Sequence, residues 1–240
     1  MALLRFGGDH IRLGDVVMPR PFLRRPSHGV QGTRTLTTAR HQLSDLQRIV
    51  EAAVADLQAV LDRDPACVGF LQTMLFFKGF LAIQSYRVAH HLWTQGRRSL
   101  ALALQSRVSQ QFDVDIHPAA DLGRGLMIDH ATGVVIGETA VIGDNVSMLH
   151  RVTIGGSGNS TGIRHPTIGH GVLLGAGVSV LGPISIGNSS KIGACSVVLQ
   201  SVPERSVAVG VPAKVVKQDK RLEPCADMDC THDFVLDFTI

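Results

Sequence analysis

From Ile116 onward the chain places an aliphatic side chain at every sixth residue. Ile116, Leu122, Ile128 and Val134 form one run, the register slips by two, and Ile136, Ile142, Met148 and Ile154 form the next. After an interruption the period continues through Ile168, Leu174, Val180, Ile186, Ile192 and Val198. Glycine often follows directly, as at Gly123, Gly137, Gly143, Gly169, Gly175, Gly187 and Gly193. A short fixed period of this kind predicts a parallel β-helix, in which each hexapeptide supplies one flat face and three close a coil. Each in-phase aliphatic points into a narrow interior, and the corners favour glycine because it adopts backbone conformations that a Cβ resists.

Upstream the period changes to that of a helix. Leu46, Ile49, Val50, Ala53, Val54, Leu57, Val60 and Leu61 recur at three- and four-residue intervals after Ser44-Asp-Leu-Gln47, which has capping-box spacing. Asp64-Pro65 stops that helix, because the residue before a proline avoids the α region. Two more helical runs are predicted, Gly79 to Trp93, ending at Gly96, and Ser99 to Gln111. Their Leu, Phe and Ala residues are expected to be core.

The expected class is therefore α + β: an N-terminal helical domain followed by a left-handed parallel β-helix of hexapeptide repeats. Residues 1–40 form an arm, 41–112 the helical domain, 113–212 the β-helix with a loop at 156–166, and 213–240 a tail. Composition sharpens the division. Of the eleven aromatic residues, nine lie at or before Phe112 and the others are Phe234 and Phe238, so the interval that carries the repeat has none. A narrow β-helix interior admits Ile, Val and Leu but hardly Phe or Trp.

With 240 residues, 45% hydrophobic and only 18% charged, the chain is not intrinsically disordered. The most apolar stretch, Val68 to Ile83, is broken by Gln72, Lys78 and Gly79 and is too short to span a bilayer. A net charge of +3, with Arg and Lys scattered, gives no case for nucleic acid. Cys67 and Cys195 sit among apolar neighbours and read as buried thiols, and Cys225 and Cys230 have neither redox nor zinc spacing. The expected compartment is reducing and cytoplasmic. Residues 1–40, with seven arginines and two aspartates, make organellar import the alternative.

Few ionisable side chains interrupt the repeat: Asp115, Asp129, His130, His150, Arg164, His165 and His170 stand out. Asp129-His130 breaks the repeat consensus beside an invading loop. Asp115 lies fifteen residues earlier, close enough to the length of a coil to sit one layer below His130. A carboxylate that holds an imidazole N–H fixes its tautomer and supports the imidazolium formed when it takes a proton from a hydroxyl. The segment from Gly155 to Pro166 leaves the period as a loop, where binding residues tend to sit.

Several blocks resemble serine O-acetyltransferases of the hexapeptide-repeat family. They are Val114-Asp-Ile-His-Pro118, Asp129-His-Ala-Thr-Gly133, Val135-Ile-Gly-Glu-Thr-Ala140, Gly155-Gly156 and Arg164-His-Pro166, with Arg63-Asp-Pro-Ala66, Lys78-Gly79-Phe80 and Gln95-Gly-Arg97 in the helical part. The resemblance runs from about residue 45 to 217. It implies transfer of the acetyl group of acetyl-CoA to the hydroxyl of L-serine, giving O-acetyl-L-serine and CoA for cysteine biosynthesis, with acetyl-CoA as co-substrate and no metal. It implies His130 as general base, Asp115 as its orienting partner, and Asp64, Asp129, Arg164 and His165 as serine ligands. Gly156 would stabilise the oxyanion, and Ala176, Gly177, Lys191 and Ala194 would border acetyl-CoA in a groove between neighbouring subunits. It further implies a homotrimer or a dimer of trimers, and a complex with O-acetylserine sulfhydrylase through the C-terminal Ile240.

The chain departs from the family pattern in the loop, where Asn159 and Ile163 replace a lysine and an aspartate. Upstream of residue 41 the family's first helices have no counterpart. Two alternatives remain open on sequence: another acceptor on the same scaffold, and a zinc enzyme like the γ-type carbonic anhydrases, built on His130, His165 and His170.

Overall fold

The computed structural model describes residues 32–158, 161–218, 224 and 228, with side chains from residue 45. The arm before Gly32 and most of the tail, including Ile240, Cys225 and Cys230, lie outside the described residues.

Four helices come first: α1 (Gly32–Arg63), α2 (Phe70–Phe76), α3 (Lys78–Thr94) and α4 (Arg98–Phe112). Helix α1 stops at Arg63, as Asp64-Pro65 dictates, but it does not begin at Ser44. No glycine or proline interrupts residues 33–43, and Gln47 does not turn back to cap. Its side-chain amide donates forward to Glu51 at 2.9 Å, a mid-helix pairing. Helix α3 ends on Gln95 with Gly96 in the left-handed region, φ +79°, where glycine is favoured. The short α2 was not legible as a separate element, because it interrupts an apolar run with no helix-stop residue of its own.

The repeat winds as a parallel β-solenoid of three faces. Its first coil holds β1 (Val114–Ile116), β2 (Asp121–Leu122) and β3 (Met127–Ile128). The second holds β4 (Val134–Ile136), β5 (Val141–Ile142) and β6 (Ser147–Met148), and the third β7 (Thr153–Gly155), β8 (Thr167–Ile168) and β9 (Leu173–Leu174). The fourth holds β10 (Ser179–Leu181), β11 (Ser185–Ile186) and β12 (Lys191–Ile192), followed by β13 (Val197–Val198), β14 (Ser206–Gly210) and β15 (Ala213–Gln218). The first face stacks β1-β4-β7-β10-β13, the second β2-β5-β8-β11, and the third β3-β6-β9-β12-β14, with β15 closing it antiparallel.

All fourteen in-phase aliphatics from Ile116 to Val198 are buried, so the six-residue period is the period of the core. Strand register shows where the coil departs from its regular 18 residues, seen where Ser179 pairs with Val197. Val114 pairs with Val134, a coil of 20, because two extra residues sit at the corner 129–133. Thr153 pairs with Ser179, a coil of 26, because the loop after Gly155 adds eight. Both departures fall at corners that carry the candidate chemistry.

The helices are tied to the first coils by a buried ion pair. Asp56 of α1 is fully buried and accepts from Arg87 of α3 at 2.7–2.9 Å, from Gln84 at 2.9 Å and from the Leu126 N–H at 2.9 Å. Arg87 also donates to the Gly123 carbonyl, 2.8 Å. Gly79 packs so closely on β3 that a Cβ there would meet the Ile128 carbonyl oxygen at 2.0 Å. The expectation that apolar helix residues are core holds for Val60, Phe80 and Ile83, but Leu46, Val50 and Val54 of α1 and Leu71, Met74 and Phe76 of α2 are exposed. Cys195, expected to be buried, is exposed at a corner with φ +58°.

Candidate active site

Each of the three corners of the solenoid repeats from coil to coil, so residues far apart in sequence become columns. The corner leading from the third face back to the first carries His130. Five residues, Asp129 to Gly133, span it where a regular coil needs three, and the surplus backbone turns outward. His130 and Ala131 are consecutive left-handed residues, φ +56° and +57°, and Gly133 follows at +74°. Left-handed conformations cost a side-chain-bearing residue about 1–3 kcal/mol, and they persist where surrounding bonds hold them. Here the corner is bonded to its neighbours on both sides: the Gly133 N–H donates to the Asp113 carbonyl and the Arg151 N–H to the Thr132 carbonyl, each 2.8 Å. The His130 side chain is 75% exposed as a result.

That ring faces a cavity of about 890 Å³ between the end of α1, the start of α3 and this corner. Asp64, Asp129 and His130 all line it, together with Gln72, Lys78 and Phe77, and Met228 of the tail also borders it. Asp64 Oδ1 accepts the Ala66 N–H at 2.8 Å, which fixes the turn after α1 and holds the carboxylate at the cavity. Asp129 Oδ2 lies 3.8 Å from His130 Nε2. His150, one coil further along, stands edge-on to His130 with ring centroids 6.1 Å apart. Lys78 donates to the Thr132 hydroxyl and so ties α3 to the same corner.

The column continues upward from His150. The Gly177 N–H donates to the His150 carbonyl at 2.9 Å, and the Cys195 N–H to the Ala176 carbonyl at 2.7 Å. Ala176, Gly177 and Ala194 therefore form a small-residue strip in line with His130. Lys191 does not join it; it is buried within β12, paired with Leu173 and Val207.

Arg164 and His165 stand at another corner, between the first and second faces, where the loop returns to the solenoid. Arg164 Nη2 lies 2.6 Å from Glu138 Oε2, and this bond holds the Glu138 carboxyl below its usual range. His165 is buried over Gly137: a Cβ on Gly137 would lie 1.9 Å from its Nε2. Gly156 borders the same ring edge, and a Cβ there would come within 3.2 Å. Burial, with the Arg164 charge second, pushes the His165 imidazole below its ordinary value.

Asp115 does not sit below His130. Register places it beneath Val135, on the first face of the same coil, because the first coil is 20 residues long and a separation of 15 falls short of a full turn. Its carboxylate accepts from Gln105 of α4 at 2.6 Å and makes no hydrogen bond or ion pair with His130 among the described residues. His117 is held by the Ala119 N–H at 3.0 Å and by an edge contact with Trp93, a supporting role. His170 occupies the remaining corner, where its Nδ1 accepts the Asp144 N–H at 2.9 Å. His130, His165 and His170 thus stand at three different corners. Among the described residues no group of three or more His, Cys, Asp or Glu side chains is placed to hold a metal ion.

One chain therefore carries two separate clusters: an imidazole with two carboxylates at one corner, and a guanidinium with an imidazole at another. Comparison with known proteins gives this arrangement its family. The model for the serine acetyltransferase N-terminal region matches residues 23–85, so the family pattern extends upstream of residue 41, contrary to expectation, and the bacterial transferase hexapeptide model of six repeats matches residues 165–200. Serine acetyltransferase of Haemophilus influenzae is 55% identical over 181 residues, 75% of this chain and 68% of that protein. The chain belongs to the serine acetyltransferase family. Serine acetyltransferase 4 of Arabidopsis thaliana is 56% identical over 183 residues, and there this chain spans about half of the relative's length, 51%. The structure of the Neisseria gonorrhoeae serine acetyltransferase in complex with serine matches with a TM-score of 0.71 at 55% identity, covering 77% of this chain and 75% of that one.

Glu138, Thr139, Lys78 and Gln105 hold the site together and were not singled out from the sequence. Three of them fall within blocks that carry the resemblance, but nothing in a block shows which member is bonded to which.

Proposed function

We propose that this chain transfers the acetyl group of acetyl-CoA to the hydroxyl of L-serine, with His130 as general base. The observation that carries the reading is the shared cavity of Asp64, Asp129 and His130, with the imidazole presented on a corner that breaks the solenoid's period. Asp64 and Asp129 bind the ammonium group of serine, and Arg164 and His165 bind its carboxylate, because charge-assisted hydrogen bonds recognise both ends of an amino acid. His130 takes the hydroxyl proton as the oxygen attacks the thioester carbonyl, the Gly156 N–H receives the developing oxyanion, and the imidazolium protonates the departing CoA thiolate. The strip Ala176, Gly177 and Ala194 lets the CoA arm run close to the backbone; Lys191, buried in β12, lies outside it.

The two half-sites lie at different corners of one chain, so a complete site pairs His130 of one copy with Arg164 and His165 of the next. We read the assembly as a homotrimer, with the exposed apolar side chains of α1 and α2 available to copy–copy contacts within it or between two trimers. Asp115, held by Gln105, acts as the orienting partner of a His130 across that same junction. A cytoplasmic setting is the simplest for such an enzyme, and among the described residues no helix is long and apolar enough to cross a membrane.

A thiol-release assay tests the reading. Release of CoA with L-serine, and far less with a sugar or amine acceptor, is expected; no release with serine overturns it. Deleting Ile240 is expected to abolish binding to O-acetylserine sulfhydrylase while leaving CoA release unchanged, measured by calorimetric titration of one protein with the other.

A further inference from the structure

We propose that Thr139 is the positioning residue of the carboxylate cradle: its hydroxyl sets the backbone of Arg164 and His165 and holds His165 as the Nε2–H tautomer. The proposal rests on the reading that Arg164 and His165 bind the carboxylate of serine.

The hydroxyl of Thr139 accepts two backbone N–H bonds from the end of the loop, Arg164 at 3.0 Å and His165 at 3.1 Å. With its lone pairs engaged, its own hydrogen is left for His165 Nδ1, 2.8 Å away. The Thr139 backbone N–H points at the same nitrogen, 3.2 Å. A backbone N–H can only donate, so Nδ1 is an acceptor and carries no proton. The neutral ring then bears its proton on Nε2. That nitrogen lies over Gly137 and beside Gly156, with no hydrogen-bond partner among the described residues. The charged groups facing the ring are Arg164, Glu138 and His117; burial and the Arg164 cation both disfavour a second proton. The result is a neutral donor of fixed direction next to a guanidinium that Glu138 holds in place. Such a pair matches a carboxylate: the guanidinium supplies the charge and the imidazole a second, uncharged N–H.

One hydroxyl thus controls three things at once: where the loop re-enters the solenoid, where the guanidinium starts, and which ring nitrogen donates. Valine keeps the shape of threonine and removes the hydroxyl, and serine keeps the hydroxyl. In Thr139→Val the KM for L-serine is expected to rise about tenfold or more, the equivalent of one or two buried hydrogen bonds, while the KM for acetyl-CoA stays within about twofold. Two-bond nitrogen–proton spectra of the full chain labelled with ¹⁵N-histidine, with His165→Gln identifying the signal, are expected to show the Nε2–H form in the parent. The valine variant is expected to show a tautomer mixture, and Thr139→Ser to restore both readouts. A Thr139→Val chain that melts normally and keeps the parent tautomer and serine KM overturns the proposal. If the tautomer shifts in Thr139→Val but His165→Gln leaves the serine KM unchanged, the serine-binding reading of His165 is what fails.

Discussion

Gly137 shows how a residue without a side chain can specify one that has chemistry. His165 is buried only because nothing stands on the Gly137 Cα; a methyl there would overlap the ring edge. Gly137→Ala is therefore expected to push the imidazole outward and to cost about 1–3 kcal/mol, the range for overpacking a filled site, read by chemical denaturation. The same variant has a pH signature. The folded protein holds His165 below its ordinary value of 6.5, so well above 6.5 the ring is neutral whether folded or not, and its stability contribution is complete. As pH falls below 6.5 the unfolded chain takes up the proton first, and stability is lost down to the lower folded value. His117, also lowered by burial, acts in the same direction. Expelling the His165 ring returns it towards 6.5 and should flatten the fall in stability between neutral and mildly acid pH. An unchanged slope would show that the ring was not displaced.

At the scale of elements, the informative feature is the corner that carries His130. Two residues beyond the regular coil turn a structural corner into a presented side chain, and the left-handed pair His130 and Ala131 is how the backbone accommodates them. Deleting Ala131 and Thr132 together restores a coil of 18 residues. The shortened protein is expected to lose CoA release by several orders of magnitude while melting within a few degrees of the parent, because the solenoid becomes more regular. Retained activity would mean that the presentation of His130 does not depend on the slip. The slip itself was legible in the aliphatic period, and Asp129-His130 as a break in the consensus, but not that the two coincide; the loop expected beside the pair leaves from another corner. The solenoid and its loop were legible for the same reason, since a narrow core admits one side chain per face and so imposes a strict period. The position of Asp115 relative to His130 was not. Placing Asp115 one layer below required the coil length at that point, and the slip lengthened that coil to 20. The start of α1 and the separate α2 escaped for a different reason, since neither boundary carries a residue that forbids helix. Thr139 was invisible as a positioning residue because its hydroxyl is defined by partners 25 and 26 residues away.

At the scale of the molecule, the proposed pairing of two half-sites would make activity a property of the assembly. His130 with Asp64 and Asp129 belongs to one corner, Arg164 with His165 to another, and in the proposed homotrimer each junction brings a first half from one copy to a second half from its neighbour. General-base loss in His130→Ala is expected to lower turnover by about 10²–10⁴, and Arg164→Ala is expected to raise the serine KM strongly. In the proposed assembly each defect occupies a different half, so the two impaired chains can repair each other. Co-assembly of the two variants at equal amounts should return about a quarter of parental turnover, the share of junctions that receive both intact halves under random mixing around a closed ring. The measurement is CoA release by the mixed assembly after joint refolding, against the same variants refolded apart and then combined. If both halves came from a single chain, every site in the mixture would contain one defect and activity would stay at the level of the separate variants. Recovery in the jointly refolded sample alone therefore ties the reaction to the junction between copies. Dilution should then lower specific activity in step with loss of the trimer in sedimentation velocity, because a separated chain keeps its fold but holds only half of each site.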